Sequence, residues 1–288
     1  MRELTFGSLF AGIGGLDLGL ERAGMRCMWQ VEIDDYATSV LERHWPDVRR
    51  FADIRDCGQH NLLPVDLVCG GFPCQDVSLA GKRAGLRGRR TTLWAEYARI
   101  VREIEPTWVL AENVPGLRSS DVGAFFGTVV RELAACGHDI AWDCIPAAAV
   151  GAPHRRDRVF IVAHAAGTGL AQRQRHETAR WARPESSRGG PWQVFQETLH
   201  EYAATAGGEQ WAVEPDVGRV ADGIPDRVDR MRCLGNAVVP QVAEWIGRRI
   251  IECDARVALA QGHDGEEGGE SEALPFDDPP LTDTAATG

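Results

Sequence analysis

Leu4-Thr5-Phe6-Gly7-Ser8-Leu9-Phe10-Ala11-Gly12-Ile13-Gly14-Gly15 is the stretch that decides the fold. Residues 4–10 read as a strand, 11–15 as a tight glycine turn, and 16–23 carry helical apolar spacing closed by Gly24. Strand, glycine turn and helix open a nucleotide-binding βαβ unit. Glycines let the backbone approach a ligand, and the helix N-terminus favours acceptor or anionic groups. The third glycine of the dinucleotide fingerprint falls on Asp17, which disfavours a nicotinamide-dependent dehydrogenase.

Working outward, residues 27–32 read as a second strand ending in Glu32, and 33–45 as a helix stopped by Pro46. Residues 51–54 suggest a short third strand carrying Asp53. A carboxylate at the end of strand two is where such folds hold ribose hydroxyls. Either acid alone would serve as a solvated cap; two in succession after a glycine turn point to a nucleoside ligand. The apolar run 66–69 is a further strand, followed by Gly70-Gly71-Phe72-Pro73-Cys74-Gln75-Asp76-Val77-Ser78. Glycines and proline end the strand and present Cys74 in a loop at its carboxyl end, the edge where α/β sheets collect chemistry. Lys82, Arg83, Arg87, Arg89 and Arg90 follow closely. They favour a thiolate and suit phosphates. A cysteine by itself is ordinarily a small buried residue; its company along the chain sets Cys74 apart.

Residues 93–105 are helical, and 107–114 form a fifth strand ending in Glu112-Asn113-Val114. Glu112 closes an apolar run, and desolvation there raises a carboxyl toward the range useful for proton donation. The plainer alternative is a carboxylate capping the next loop. Residues 122–136 form a helix, 139–145 a strand, and a basic loop with His154, Arg155, Arg156 and Arg158 runs into a strand at 159–163. From 164 to 229 periodicity is poor, and Trp181, Trp192 and Trp211 lie among Arg173, Arg175, Arg180, Arg183 and Arg188. That mixture suits contacts to phosphates and bases, and equally an ordinary surface loop. Residues 234–240 lead into a helix at 241–253.

The length of 288 residues allows one large domain or two smaller ones, and the 44% hydrophobic share is that of a globular protein. The net charge of −11 looks wrong for a nucleic-acid binder, but residues 261–288 hold eight carboxylates and no Lys or Arg. This acidic stretch has no apolar period and reads as disordered. Eight cysteines without Cys-x-x-Cys or zinc spacing predict neither a disulfide framework nor a metal site. No long apolar run or signal-peptide pattern is present, so a cytoplasmic location with no membrane contact is expected.

In this order the loops resemble the DNA cytosine-5 methyltransferase family, over residues 4–163 and about 228–253. Residues 10–15 resemble its first motif, and Glu32 and Asp53-Ile54 its ribose- and adenine-binding residues. Pro73-Cys74-Gln75 resembles the catalytic loop, and Glu112-Asn113-Val114 is the family's Glu-Asn-Val. Arg156-x-Arg158 resembles its arginine motif, with His154 where Gln is usual, and Gly235-Asn236-Ala237-Val238 its last motif. The resemblance implies S-adenosylmethionine and no metal. The donor would lie against Phe10, Ala11, Gly12, Gly14, Gly15 and Leu16, near Glu32, Ile33, Asp53 and Ile54. Gly71, Pro73, Leu93, Asn236, Ala237 and Val238 would complete the pocket. It further implies that Cys74 adds to carbon 6 of a flipped-out cytosine while Glu112 protonates ring nitrogen 3. Arg158 would hold the base carbonyl, and Arg156 would brace the Glu112 side or a phosphate. Gln75, Ser78, Lys82, Arg83, Arg87 and Arg89 would contact DNA.

The expected fold is therefore an α/β, Rossmann-like methyltransferase with a mostly parallel sheet, helices on both faces and a small inserted recognition domain. Residues 1–163 and 230–258 would form the catalytic domain, 164–229 a short target-recognition region, and 259–288 a disordered tail. The run Asp222-Gly223-Ile224-Pro225 resembles phage and prophage members. Expected partners are double-stranded DNA and a cognate restriction endonuclease, with the chain a monomer. Methylation of RNA is a rival, although the tRNA branch's Cys-Phe-Thr is absent. A silent DNA-binding homologue is another, weakened by the intact Cys74, Glu112, Arg156 and Arg158.

Overall fold

The computed structural model describes residues 2–73, 91–118, 123–165 and 226–263. Among these residues seven strands form one sheet, in the order β3-β2-β1-β4-β5-β7-β6. They are β1 Thr5–Leu9, β2 Arg26–Val31, β3 Arg49–Phe51, β4 Leu67–Gly71, β5 Trp108–Asn113, β6 His138–Pro146 and β7 Asp157–Ala165. The first five run parallel, and β7 pairs antiparallel with both β5 and β6. The chain steps from β1 outward to β2 and β3, then crosses back to β4 on the other side. The carboxyl ends of β1 and β4 therefore flank a topological switch point, where open α/β sheets bind ligands.

Alternate residues of the central strands bury on opposite faces, as a doubly covered sheet requires. Phe6, Leu67, Cys69, Trp108 and Leu110 pack on α1 (Gly15–Ala23) and the last helix (Pro240–His263), through Leu16, Leu20, Val242, Ile246 and Ile250. Leu9, Val68, Val109 and Ala111 pack on α3 (Thr91–Ile104) and α4 (Ala124–Ala135), through Trp94, Tyr97, Ile100, Phe125 and Val129. Helix α2 (Asp35–His44) starts on an Asp34 cap that accepts Ala37 N at 2.9 Å. A Cβ on Gly19 would collide with the Pro240 carbonyl, so α1 and the last helix can approach this closely only over glycine.

The mostly parallel sheet with helices on both faces agrees with the expectation, with three local differences. The third strand ends at Phe51, and Asp53 instead caps a 3₁₀ turn, Ile54–Asp56. A helix that the periodicity did not predict, α5 (Arg227–Asn236), precedes the last one, α6. Helix α6 continues to His263, past the 258 boundary set for the catalytic domain. The remainder of the tail and most of the 164–229 segment lie outside the described residues.

Asp17, the residue in place of a third glycine, is fully buried. Its carboxylate accepts Gln30 Nε2 at 2.8 Å and Ser8 Oγ at 3.0 Å, and Gln30 Oε1 in turn accepts Arg50 Nη1 at 3.1 Å. Burial raises its pKa from 3.8 to about 6 against these hydrogen bonds. The folded chain thus holds this proton longer than the unfolded chain, and stability falls as pH rises from 3.8 to about 6. Asp17→Asn keeps an acceptor for Gln30, and the Ser8 hydroxyl can reverse to accept. It is expected to stabilise the protein by about 2 kcal/mol at neutral pH and by nothing below pH 4. Thermal melts of both proteins across that range check this; a destabilised variant at pH 7 would contradict it.

Candidate active site

The glycine turn leaves β1 through three left-handed residues: Phe10 (φ 52°), Gly12 (φ 57°) and Gly14 (φ 81°). Phe10 is the unusual one, a bulky side chain in a conformation that costs about 1 kcal/mol or more and is typical of functional loops. Glu32 joins this turn to the β2–α2 loop. Its Oε2 accepts Gly12 N at 2.7 Å and its Oε1 accepts Asp34 N at 2.8 Å. Ile33 beside it is 67% exposed, an apolar side chain left open at the rim. A Cβ on Gly15 would collide with the backbone carbonyl of Val238, so the start of α1 lies directly against the 237–238 segment. Leu16 and Val238 are buried, Leu93 and Ala237 half-buried, and Asn236 exposed. Ile54 is buried, while the Asp53 carboxylate accepts Arg55 Nε at 2.9 Å. The Arg55 guanidinium holds Asp53 at about 2, well below the usual carboxylate range.

On the other side of the switch point, Glu112, the next-to-last residue of β5, lies between Gly71 of β4 and Phe160 of β7. It is 6% exposed. Burial pushes its pKa from 4.5 up to about 7, although Arg158 and Arg156 pull the other way. Arg158 Nε lies 3.0 Å from Oε1. That contact is close but poorly aligned, since Oε1 has no directed hydrogen bond among the described residues. A Cβ on Gly71 would stand 2.7 Å from Oε2, so glycine at the end of β4 keeps that side of the carboxyl clear. Next to it, Asn113 Nδ2 donates to Phe72 O at 2.8 Å and pins the chain just before Pro73. Cys74, Gln75, Ser78, Lys82, Arg83, Arg87 and Arg89 lie outside the described residues.

The two arginines of the basic loop diverge. Arg158 turns to Glu112, with Nη1 on its neighbour's Asp157 O at 2.9 Å and Nη2 on Gly235 O at 3.3 Å. Arg156, at φ 34°, points to the chain's far end. Its guanidinium donates to the carbonyls of Leu234 (3.2 Å), Gly235 (2.7 Å) and Ala237 (3.1 Å from Nε). Arg158 makes the contact with Glu112, while Arg156, expected to brace the Glu112 side or a phosphate, grips the end of α5. His154 is exposed.

A sheet with its switch point between β1 and β4, a glycine turn tied to an acid, and a buried Glu-Arg pair at the next strand end converge on one family. The model of the C-5 cytosine-specific DNA methylases matches residues 4–211. The chain belongs to that family. It is 35% identical over 159 residues to the type II methyltransferase M.HhaI of Haemophilus parahaemolyticus, covering 55% of this chain and 48% of that protein. It is 34% identical over 160 residues to the type II methyltransferase M.BsuFI of Bacillus subtilis, covering 56% and 39%. The chain thus spans half or less of the length of these curated relatives. Among solved structures it shares the fold of the Dnmt2 methyltransferase of S. pombe, with a TM-score of 0.55 and 14% identity, covering 87% of this chain and 99% of that one.

Within this methylase fold, two residues carry positions that sequence reasoning left without a role. Asn113 belongs to the Glu-Asn-Val triplet, and only its contact with the Phe72 carbonyl reveals what it holds. Arg232 of α5 pairs with Asp34, at the rim beside Glu32; a surface arginine in an aperiodic stretch carries no signal of that. Among the described residues no cluster of three or more His, Cys, Asp or Glu could hold a metal ion. No described helix is long and apolar enough to cross a membrane.

Proposed function

We propose that this chain methylates carbon 5 of cytosine in double-stranded DNA, with S-adenosylmethionine as donor. Glu112 carries the reading: a buried carboxyl held near pH 7, 3.0 Å from Arg158, one strand from the loop that leads to Cys74. The donor side fits as well. The left-handed turn leaves residues 10–13 half-exposed, Glu32 offers acceptors suited to hydroxyls, and Ile33 offers an open apolar surface suited to a purine. These residues, with Leu16, Asp53 and Ile54, would hold S-adenosylmethionine, and Val238 would back Gly15. When bound, it supplies an electrophilic methyl group.

Carbon 5 of cytosine is too weak a nucleophile to take that methyl unaided. In this reading the Cys74 thiolate forms a bond to carbon 6, and the electrons of the 5,6 double bond pass to carbon 5 as Glu112 delivers its proton to nitrogen 3. Once carbon 5 is methylated its proton passes to water, the sulfur–carbon bond breaks to release the Cys74 thiolate, and nitrogen 3 returns its proton to Glu112, which restores the ring. Arg158 would hold the base carbonyl oxygen through its guanidinium. Carbon 6 cannot be reached inside a duplex, so the base must leave the stack, with Gln75, Ser78, Lys82, Arg83, Arg87 and Arg89 clamping the backbone. Recognition by residues 164–229, a cognate restriction endonuclease, a monomeric state and a cytoplasmic location belong to the same proposal. The test is to incubate the full chain with labelled donor and either duplex DNA or tRNA, with bisulfite sequencing of the DNA product. Label at carbon 5 of cytosine in the duplex is expected; label in tRNA alone, or in neither, would refute the reading.

A further inference from the structure

Arg156 sits two residues from Arg158, yet the two guanidiniums serve different places. Arg158 is committed to Glu112. Arg156 has no carboxylate within ion-pair distance among the described residues, and its charge rests on the carbonyls of Leu234, Gly235 and Ala237. These carbonyls close α5, where orphan acceptors and the negative end of the helix dipole favour a cation. Among the described residues helix α5 has little else to hold it. Val228, Met231 and Leu234 are exposed, and among its described side chains only Cys233 is buried, so these present no buried apolar face. Its other described charged anchors to the sheet domain are Arg158 Nη2 on Gly235 O and Arg232 on Asp34, the residue whose N–H is held by Glu32. One residue past the Arg156 grip, Val238 presses on Gly15 so tightly that no Cβ fits between them. The left-handed backbone at Arg156 is a strain that its hydrogen bonds to this segment sustain.

We propose that Arg156 is a positioning residue for the methyl donor rather than a contact for the base or for phosphate. It fixes the 234–238 segment against the start of α1, and so sets the shape of the donor pocket from the strand that carries the base-binding arginine. This rests on the donor reading above. Because Gly235 O also receives Arg158 Nη2 at 3.3 Å, the same segment touches both sites. When Arg158 turns to a base, Arg156 keeps the segment in place.

The experiment is isothermal titration of the DNA-free full chain with S-adenosylhomocysteine, alongside steady-state kinetics on duplex DNA. Arg156→Ala is expected to weaken this binding more than tenfold, with the KM for the donor rising more than kcat falls. Arg156→Lys should restore part of the affinity, since an ammonium can still reach one or two of the carbonyls. Arg158→Ala should leave binding within about twofold and act on kcat. If Arg156→Ala binds as the wild type does and loses only kcat, the proposal is wrong. Should that variant fail to fold by circular dichroism, Asp34→Asn decides. It keeps the α2 cap but removes the ion pair to Arg232, and should weaken binding about threefold. Wild-type affinity in both Asp34→Asn and Arg156→Lys overturns the proposal. A wild-type chain that binds no S-adenosylhomocysteine would refute the donor reading itself, and that arm is read before any variant.

Discussion

Replacing Glu112 by glutamine is expected to cut methyl transfer by roughly a hundredfold or more while leaving donor affinity within about twofold. The amide keeps the shape of the carboxyl against Gly71 and an oxygen for Arg158, but it has no proton of suitable acidity to give. The wild-type pH profile should carry the same signature. Burial holds Glu112 at about 7, so it is a proton donor below that pH and loses the proton above it. The rate should therefore fall as pH rises through 7, and the Gln variant should lose that limb. Stability has the same sign. A raised folded pKa means the folded state keeps the proton longer, so Glu112 costs stability progressively as pH rises from 4.5 to about 7. The Gln variant should lose that decline too. Unimpaired turnover by the variant, or a rate that rises through pH 7 in the wild type, would rule out the acid role.

How much of this was legible before the fold was known depends on what kind of signal each residue sends. Strands β1, β2, β4 and β5 are apolar runs broken by glycine, proline or acid, because each is covered on both faces. The edge strand β3 begins with Arg49 and Arg50, half in solvent, and so lies two or three residues before the stretch 51–54 that the apolar pattern marks. Helix α5 left no trace because it buries almost nothing, and amphipathic spacing records only what a helix buries. Asp17 registered as a missing glycine; that it is a buried carboxylate tied to Ser8 and Gln30 depends on β2 lying beside β1. The motif residues at strand ends were found because the switch point gathers them. What each side chain grips is not, because Arg156 and Arg158 are near neighbours in sequence, and only the fold sends one of them, at a left-handed backbone, to the end of α5.

Replacing Cys74 by serine is expected to take methyl transfer below detection, a loss of about a thousandfold or more, with donor binding unchanged. The described chain that leads to Cys74 is anchored beside Glu112. Gly71 pairs with Glu112 across the sheet, Phe72 is packed against Trp94, Tyr97 and Phe125, and its carbonyl is held by Asn113. None of the described thiols is suited to substitute. Burial raises the pKa of Cys27, Cys57, Cys69, Cys136, Cys144, Cys233 and Cys253 alike, with Cys57 and Cys253 at about 11. Serine cannot inherit the role either. Its hydroxyl needs a base to become a nucleophile, and Glu112, neutral when it is useful as an acid, cannot also be that base. Labelled-methyl transfer measures the loss, and duplex DNA carrying 5-fluorocytosine supplies the second readout. The wild type should form a trapped covalent adduct and Cys74→Ser none. Near-normal transfer by the variant, or an adduct formed without Cys74, would mean that the bond to carbon 6 is made by another group.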